Sequence, residues 1–273
     1  MPELRRRKSG RYGWVPDLPD ARDHLYAAPP ATIVALPPKV DLRAQCPKVY
    51  NQGRIGSCTA NAIAAAFEFD LLKQDLTDFM PSRLFIYYNE RSVEGTVGTD
   101  SGAMIRDGIK SVATLGVCAD TEWPYDDTAP GFEGGPWPVG ARAGEKPSRR
   151  CYADALRHTG SSYQRVVRSL AQFKGCLASG FPFAFGFSVY ESFESAAVAK
   201  TGVVPMPSPD EGVLGGHAVL AVGYDDSEQR FIVRNSWGDE WGDGGYFSMP
   251  YAFLTERNRS SDFWTIRVVN SSS

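Results

Sequence analysis

No stretch of the chain approaches the roughly 18 consecutive apolar residues that a membrane-spanning helix requires, so no membrane span is expected. Basic charge is not concentrated either. Lys+Arg 29 against Asp+Glu 32 gives a formal charge of -3, and Arg5-Arg6-Arg7-Lys8 is the one basic block, so nucleic acid is not an expected partner. That basic start is not followed by an apolar segment of signal-peptide length, and localisation stays open between the cytoplasm and export by another route. Cysteines are few and scattered: Cys46, Cys58, Cys118, Cys151 and Cys176 form no Cys-x-x-Cys pair or Cys/His cluster, which argues against structural zinc. Asp239, Glu240 and Asp243 lie in a glycine-rich stretch without the ligand spacing of a calcium loop, so neither metal nor cofactor is expected. Histidine is rarer still. Of three, His24 and His158 have no supporting context, which leaves His217.

What is present suits a folded globular protein. With 42% hydrophobic and 12% aromatic residues the chain can bury one large core or two modest ones, and two lobes are expected. Residues 1–38 are rich in proline and charge and read as an extended arm. Residues 39–150 read as mainly α. Ser57 is placed as an N-cap before a densely apolar helix, Pro81-Ser82 can start a second, and Ser101 can cap a third that stops at Gly116. Residues 126–150 are loop-like. Residues 151–273 read as mainly β: a helix from Val166 through Leu177 precedes strands over 183–189, 218–224, 230–235, 245–251 and 263–269. The polar turn at 225–229 makes the second and third of these a hairpin, bringing His217 and Asn235 toward one end of the pair.

Cys58, His217 and Asn235 then fit one chemistry. The first turn of a helix presents unpaired N–H groups and positive potential, which favour the thiolate of Cys58. His217 within reach would give a thiolate–imidazolium pair able to attack a carbonyl and then protonate the leaving amine. Asn235 would hold the imidazole in one orientation, as third members of triads do. Gln52, six positions before Cys58, can aim its amide at the developing oxyanion together with the Cys58 N–H. These four residues would form an acyl-transfer site.

Three blocks carry a resemblance: Gln52-Gly53 through Gly56-Ser57-Cys58, Gly215-Gly216-His217-Ala218-Val219, and Asn235-Ser236-Trp237-Gly238 through Gly245-Tyr246. In this order they resemble the papain family of cysteine peptidases. The Gly13-Trp14 to Arg22-Asp23 arm and Val40-Asp41-Leu42-Arg43 are most similar to bacterial proteases of the xylellain type. The resemblance implies an α+β, two-lobed fold, with a mainly α lobe carrying Cys58, an antiparallel β-barrel-like lobe carrying His217 and Asn235, and a peptide or protein substrate in the cleft of a monomer. It also implies that Trp237 shields the Asn235–His217 contact and Trp241 borders the leaving-group side. Ser101, Gly102 and Gly216 would line the substrate. Two departures stand out: Ile55 replaces the usual cysteine three positions before the nucleophile, and Thr59 replaces the usual aromatic after it. The arm is too short for the family's helical prodomain. It is expected to serve as a short pro-segment of a zymogen, an intramolecular inhibitor lying across or beside the cleft. Two other classes use the same scaffold: a transglutaminase-like acyltransferase, which Asn235 and its Asn-Ser-Trp-Gly context disfavour, and a non-catalytic peptide-binding module, which would normally lack the thiol or the imidazole.

Overall fold

A computed structural model of the protein describes residues 12–132 and 134–271. The strands among the described residues are β1 (Leu25–Tyr26), β2 (Lys39–Asp41), β3 (His158–Val166), β4 (Phe183–Tyr190), β5 (Val213–Asp225), β6 (Arg230–Arg234), β7 (Tyr246–Pro250) and β8 (Ser260–Ser271). The helices are α1 (Pro30–Val34), α2 (Cys58–Lys73), α3 (Arg83–Glu94), α4 (Ile105–Leu115), α5 (Arg149–Ala155), α6 (Leu170–Ala178), α7 (Ala196–Thr201) and α8 (Tyr251–Thr255). The strands form one sheet in the order β1-β3-β8-β4-β5-β6-β7, and β2 pairs with β5. All pairings are antiparallel except β1 with β3. The path is open, so the expected barrel-like lobe is an open sheet: among the described residues β1 and β7 end it without meeting.

Helix α2 joins the two halves. Of its 16 residues 14 are buried, because α3 and α4 pack against it together with β5 and β8. A helix covered all round has apolar residues on every face, which is why Ala60 to Phe69 show no single stripe. The buried apolar residues of the α half and of the sheet form one contiguous cluster, with Phe173, Phe183, Phe185, Phe187 and Phe263 in its β part.

Several local expectations are corrected. The helix expected from Val166 begins only at Leu170, since residues 158–166 form β3, held by β8 along its length. Most of β3 is half-buried and polar, so it shows no clean alternation by which to recognise it. Ser101 caps nothing: Met104 stands at the N-cap of α4, and the Ser101 hydroxyl donates to Thr96 Oγ1 and the Gly102 carbonyl. Ser57 does occupy the N-cap of α2, but its side chain does not cap; it bonds Tyr125 Oη and accepts from Asn61 Nδ2. Ser82 caps α3 by accepting from the Phe85 N–H, Gly116 closes α4, and the β5–β6 hairpin forms as the turn residues require.

The arm enters the fold in two ways. Residues 12–15 lie against the site described below. Beyond them, β1 pairs with β3, α1 packs on α6, and Tyr26 and Ala28 are buried. Asp17 accepts from Trp264 Nε1 at 2.8 Å, and Asp23 forms a buried ion pair with Arg106 at 2.6 Å. The basic run at residues 5–8 lies outside the described residues.

Candidate active site

Cys58 is the first residue of α2 and is fully buried. The turn before it is tied down from outside: the Gly56 N–H donates to Asp100 at 3.0 Å, and Asp100 also accepts from Tyr87 Oη at 2.5 Å. Thr59 and Ile55, the two departures, are both buried. The Thr59 hydroxyl donates to the buried Glu90 carboxyl at 2.6 Å, and Ile55 offers its carbonyl to Gln52 Nε2 at 3.0 Å.

His217 lies inside β5, opposite Phe187 of β4, and is likewise buried. Its Nε2 is 2.8 Å from Asn235 Oδ1, which makes Nε2 the protonated nitrogen, since an amide oxygen can only accept. Nδ1 has no hydrogen-bond partner among the described residues. The next residue on β5, Ala218, directs its backbone N–H at the Cys58 sulfur, so the strand that carries the imidazole also meets the helix that carries the thiol. Trp237 stacks on His217 with centroids 5.0 Å apart, covering the imidazole beside Asn235. Trp241 packs edge-on to Trp237 and, with Asn51, Gly53 and Arg54, lines an open depression of about 370 Å³.

Gln52 is held from two sides. Its Oε1 accepts from Ser236 Oγ at 2.6 Å, its Nε2 donates one hydrogen to Ile55, and its backbone N–H donates to the Ser236 carbonyl at 2.8 Å. Ser236 therefore links the loop before Cys58 to the segment carrying Asn235. Sequence reasoning missed it: the serine lies in the Asn-Ser-Trp block, but nothing local marks its partner 184 positions away.

The arm crosses this site. The Gly13 N–H reaches the Cys58 sulfur, and the Gly13 carbonyl accepts from the Ala103 N–H at 2.7 Å. Trp14 donates its backbone N–H to the Gly216 carbonyl at 2.9 Å, and Val15 donates to Ala103 at 3.0 Å, giving a parallel bridge. A side chain at Gly13 would put Cβ 1.6 Å from the Gly56 carbonyl oxygen, so only glycine passes here. Tyr12 stands edge-on to His217 at 6.1 Å and donates to Glu194. Of the expected lining residues, Gly216 meets the arm backbone; Gly102 lies under it, a Cβ there falling 2.2 Å from the Gly13 oxygen; and the Ser101 hydroxyl donates to Thr96 and to the Gly102 carbonyl. Ala103, not anticipated, makes the ladder contacts.

Under this cover both titratable groups favour neutrality. Burial pushes the Cys58 thiol up to about 12, against the lowering effect of the Ala218 and Gly13 N–H groups. Burial also lowers His217 to about 4, opposed by its bond to Asn235. The thiolate–imidazolium pair expected from sequence is thus disfavoured while the arm is in place. No group of His, Cys, Asp and Glu able to hold a metal ion occurs among the described residues.

A thiol at a helix start, an imidazole fixed through one nitrogen by an amide, and a second amide fixed in the loop before the thiol can carry out nucleophilic acyl transfer. Known proteins match the chain over most of its length. A sequence profile described as papain family cysteine protease matches residues 36–259. Xylellain, a cysteine protease from Xylella fastidiosa, superposes with a TM-score of 0.90 at 49% identity, covering 99% of each chain. An uncharacterized peptidase C1-like protein of Acanthamoeba polyphaga mimivirus is 42% identical, over 96% of this chain and 88% of its own. The fold alone extends to proCathepsin B S9 from Trypanosoma congolense, with a TM-score of 0.72, 15% identity and coverage of 95% and 87%. The chain therefore belongs to the papain family of cysteine proteases and is a cysteine-type peptidase.

Proposed function

We propose that the protein is a cysteine endopeptidase, made as a zymogen, in which Cys58 is the nucleophile, His217 the base and acid, Asn235 its orienting group and Gln52 an oxyanion donor. The observation that carries these roles is the His217 ring, tied to Asn235 through Nε2 and without a partner at Nδ1 among the described residues, on the strand whose next N–H reaches the Cys58 sulfur. With the cleft open and hydrated, the proton of Cys58 passes to His217 Nδ1, and the sulfur attacks the peptide carbonyl. The oxyanion takes the remaining Nε2 hydrogen of Gln52 and the Cys58 backbone N–H. His217 returns its proton to the leaving amine, and water, deprotonated by the same imidazole, releases the acyl group from sulfur.

Residues 12–15 act as the built-in inhibitor, since they lie on the thiol and occupy the backbone partners a peptide would use. Hydrolysis of an unfolded protein such as casein, and labelling by a peptide-like epoxide, test both parts. Cys58→Ala is expected to abolish both activities. Gly13→Ala, whose methyl group cannot fit beside Gly56, is expected to raise both above the full-length wild type. Casein hydrolysis that persists in Cys58→Ala would refute the catalytic roles, and equal rates for Gly13→Ala and wild type would refute inhibition by the arm.

A further inference from the structure

The loop over residues 52–58 carries both groups assigned to the oxyanion, Gln52 at its start and the Cys58 N–H at its end. Their spacing is therefore the spacing of the loop's two ends, and one side chain joins those ends. Tyr125 donates its hydroxyl to the Gln52 carbonyl at 2.9 Å, and the same oxygen lies 2.6 Å from Ser57 Oγ. A phenol has a single proton, and here it goes to Gln52, so Ser57 is the donor in the second bond. Ser57 Oγ in turn accepts from Asn61 Nδ2 at 3.0 Å, which fixes the hydroxyl from one turn further along α2. Burial pushes the Tyr125 hydroxyl up to about 12, so it keeps its proton, and its donor role, across the neutral range.

Tyr125 is itself held from two sides. The Arg83 guanidinium lies over its ring, 3.9 Å from the centroid, and donates to the Asn51 carbonyl at 3.3 Å and to Asn61 Oδ1 at 3.4 Å. The two residues before Tyr125 are tied by their carbonyls: Ser82 Oγ donates to Trp123 at 2.7 Å, and Arg142 Nη1 donates to Pro124 at 3.2 Å. We propose that Tyr125 is a positioning residue of the peptidase reaction: its hydroxyl fixes the distance between the two oxyanion donors by clasping the loop that bears them. This rests on the peptidase reading above, and on the role of Gln52 in particular. Ser236 holds the Gln52 side chain, whereas Tyr125 holds the Gln52 backbone and ties it to the residue before the nucleophile. Oxyanion donors are aimed at the place the oxygen takes in the transition state, not at the ground-state carbonyl, so loosening the clasp lowers kcat and spares KM.

The test compares Tyr125→Phe, which deletes the hydroxyl and keeps the ring under Arg83, with its parent in a full chain carrying Gly13→Ala, where the arm cannot close on the thiol. Chains that begin at Val15 are measured in parallel, so that the result does not depend on one way of releasing the arm. With a dipeptidyl aminomethylcoumarin as substrate, Tyr125→Phe is expected to lower kcat about tenfold with KM within about twofold. In a Gln52→Ala background the same change should lower kcat by less than about twofold, because the donor it aims is already gone. Should Tyr125→Phe fail to fold, Ser57→Ala, which opens the clasp at its other end, is read by the same cycle. An unchanged kcat, or a loss as large with Gln52→Ala as without it, overturns the positioning role and leaves the peptidase intact. Absence of cleavage by both parents, or cleavage that persists in Cys58→Ala, overturns the peptidase reading, and the positioning role with it.

Discussion

At the scale of single residues, the site shows how one group can be legible in sequence and its state not. Cys58, His217, Asn235 and Gln52 announce themselves by their blocks, but the protonation of the thiol depends on what covers it. With Gly13 on the sulfur, burial holds Cys58 up to about 12 and His217 down to about 4, so both are neutral across the interval between. Alkylation of Cys58 by iodoacetamide in the full-length protein is therefore expected to be slow and nearly flat from pH 5 to 9. In Gly13→Ala, where water and the imidazole stabilise the thiolate, it should be fast on the acid side of the thiol's ordinary range. Fast alkylation of wild type at pH 6, followed by mass spectrometry of the Cys58 peptide, would contradict the covered state. Ser236→Ala removes the donor that fixes Gln52 Oε1. It should lower kcat on the order of tenfold with little change in KM, less than the roughly 10²–10³-fold loss from Gln52→Ala, since the donor is loosened rather than deleted.

Among the elements, the arm divides near Asp17. Residues 12–15 touch the cleft, whereas β1, α1, Tyr26, Ala28 and the Asp23–Arg106 pair belong to the packed structure. Truncation before Val15 is expected to open the site and keep the melting temperature within a few degrees. Truncation through residue 38 strips Arg106 of its buried partner and uncovers the apolar faces under Tyr26 and α1. An unpaired buried charge alone costs about 3–5 kcal/mol, so Tm should fall by roughly 10 °C or more. Differential scanning calorimetry of the two truncations decides; equal Tm values would mean that the arm is peripheral throughout. The Pro- and charge-rich composition made the arm readable as extended. It gave no sign of β1, whose two residues are strand only because β3 lies beside them. β3 itself was hidden for the same reason: a strand defined by its partner need not alternate.

For the whole molecule, α2 makes the two lobes interdependent. It is buried on every side, and the apolar cluster runs through it from the α half into the sheet. Urea unfolding followed by tryptophan fluorescence and by far-ultraviolet circular dichroism is therefore expected to give one coincident transition. Two separated transitions would show independent lobes. The sequence by itself determined the family and the order of its blocks along the chain, because the candidate nucleophile, base and two amides each need a local backbone setting: a helix start, a strand, a glycine-rich turn. It also determined the α-then-β division, since helical and strand periods are local properties. Only the tertiary structure decided that the sheet stays open, that Ser236 couples Gln52 to the Asn235 segment, and that Gly13 and Trp14 lie in the cleft above a buried Asp262. Those are contacts between segments up to about 250 positions apart in the chain. Their energies come from desolvation and close packing, which no single segment encodes.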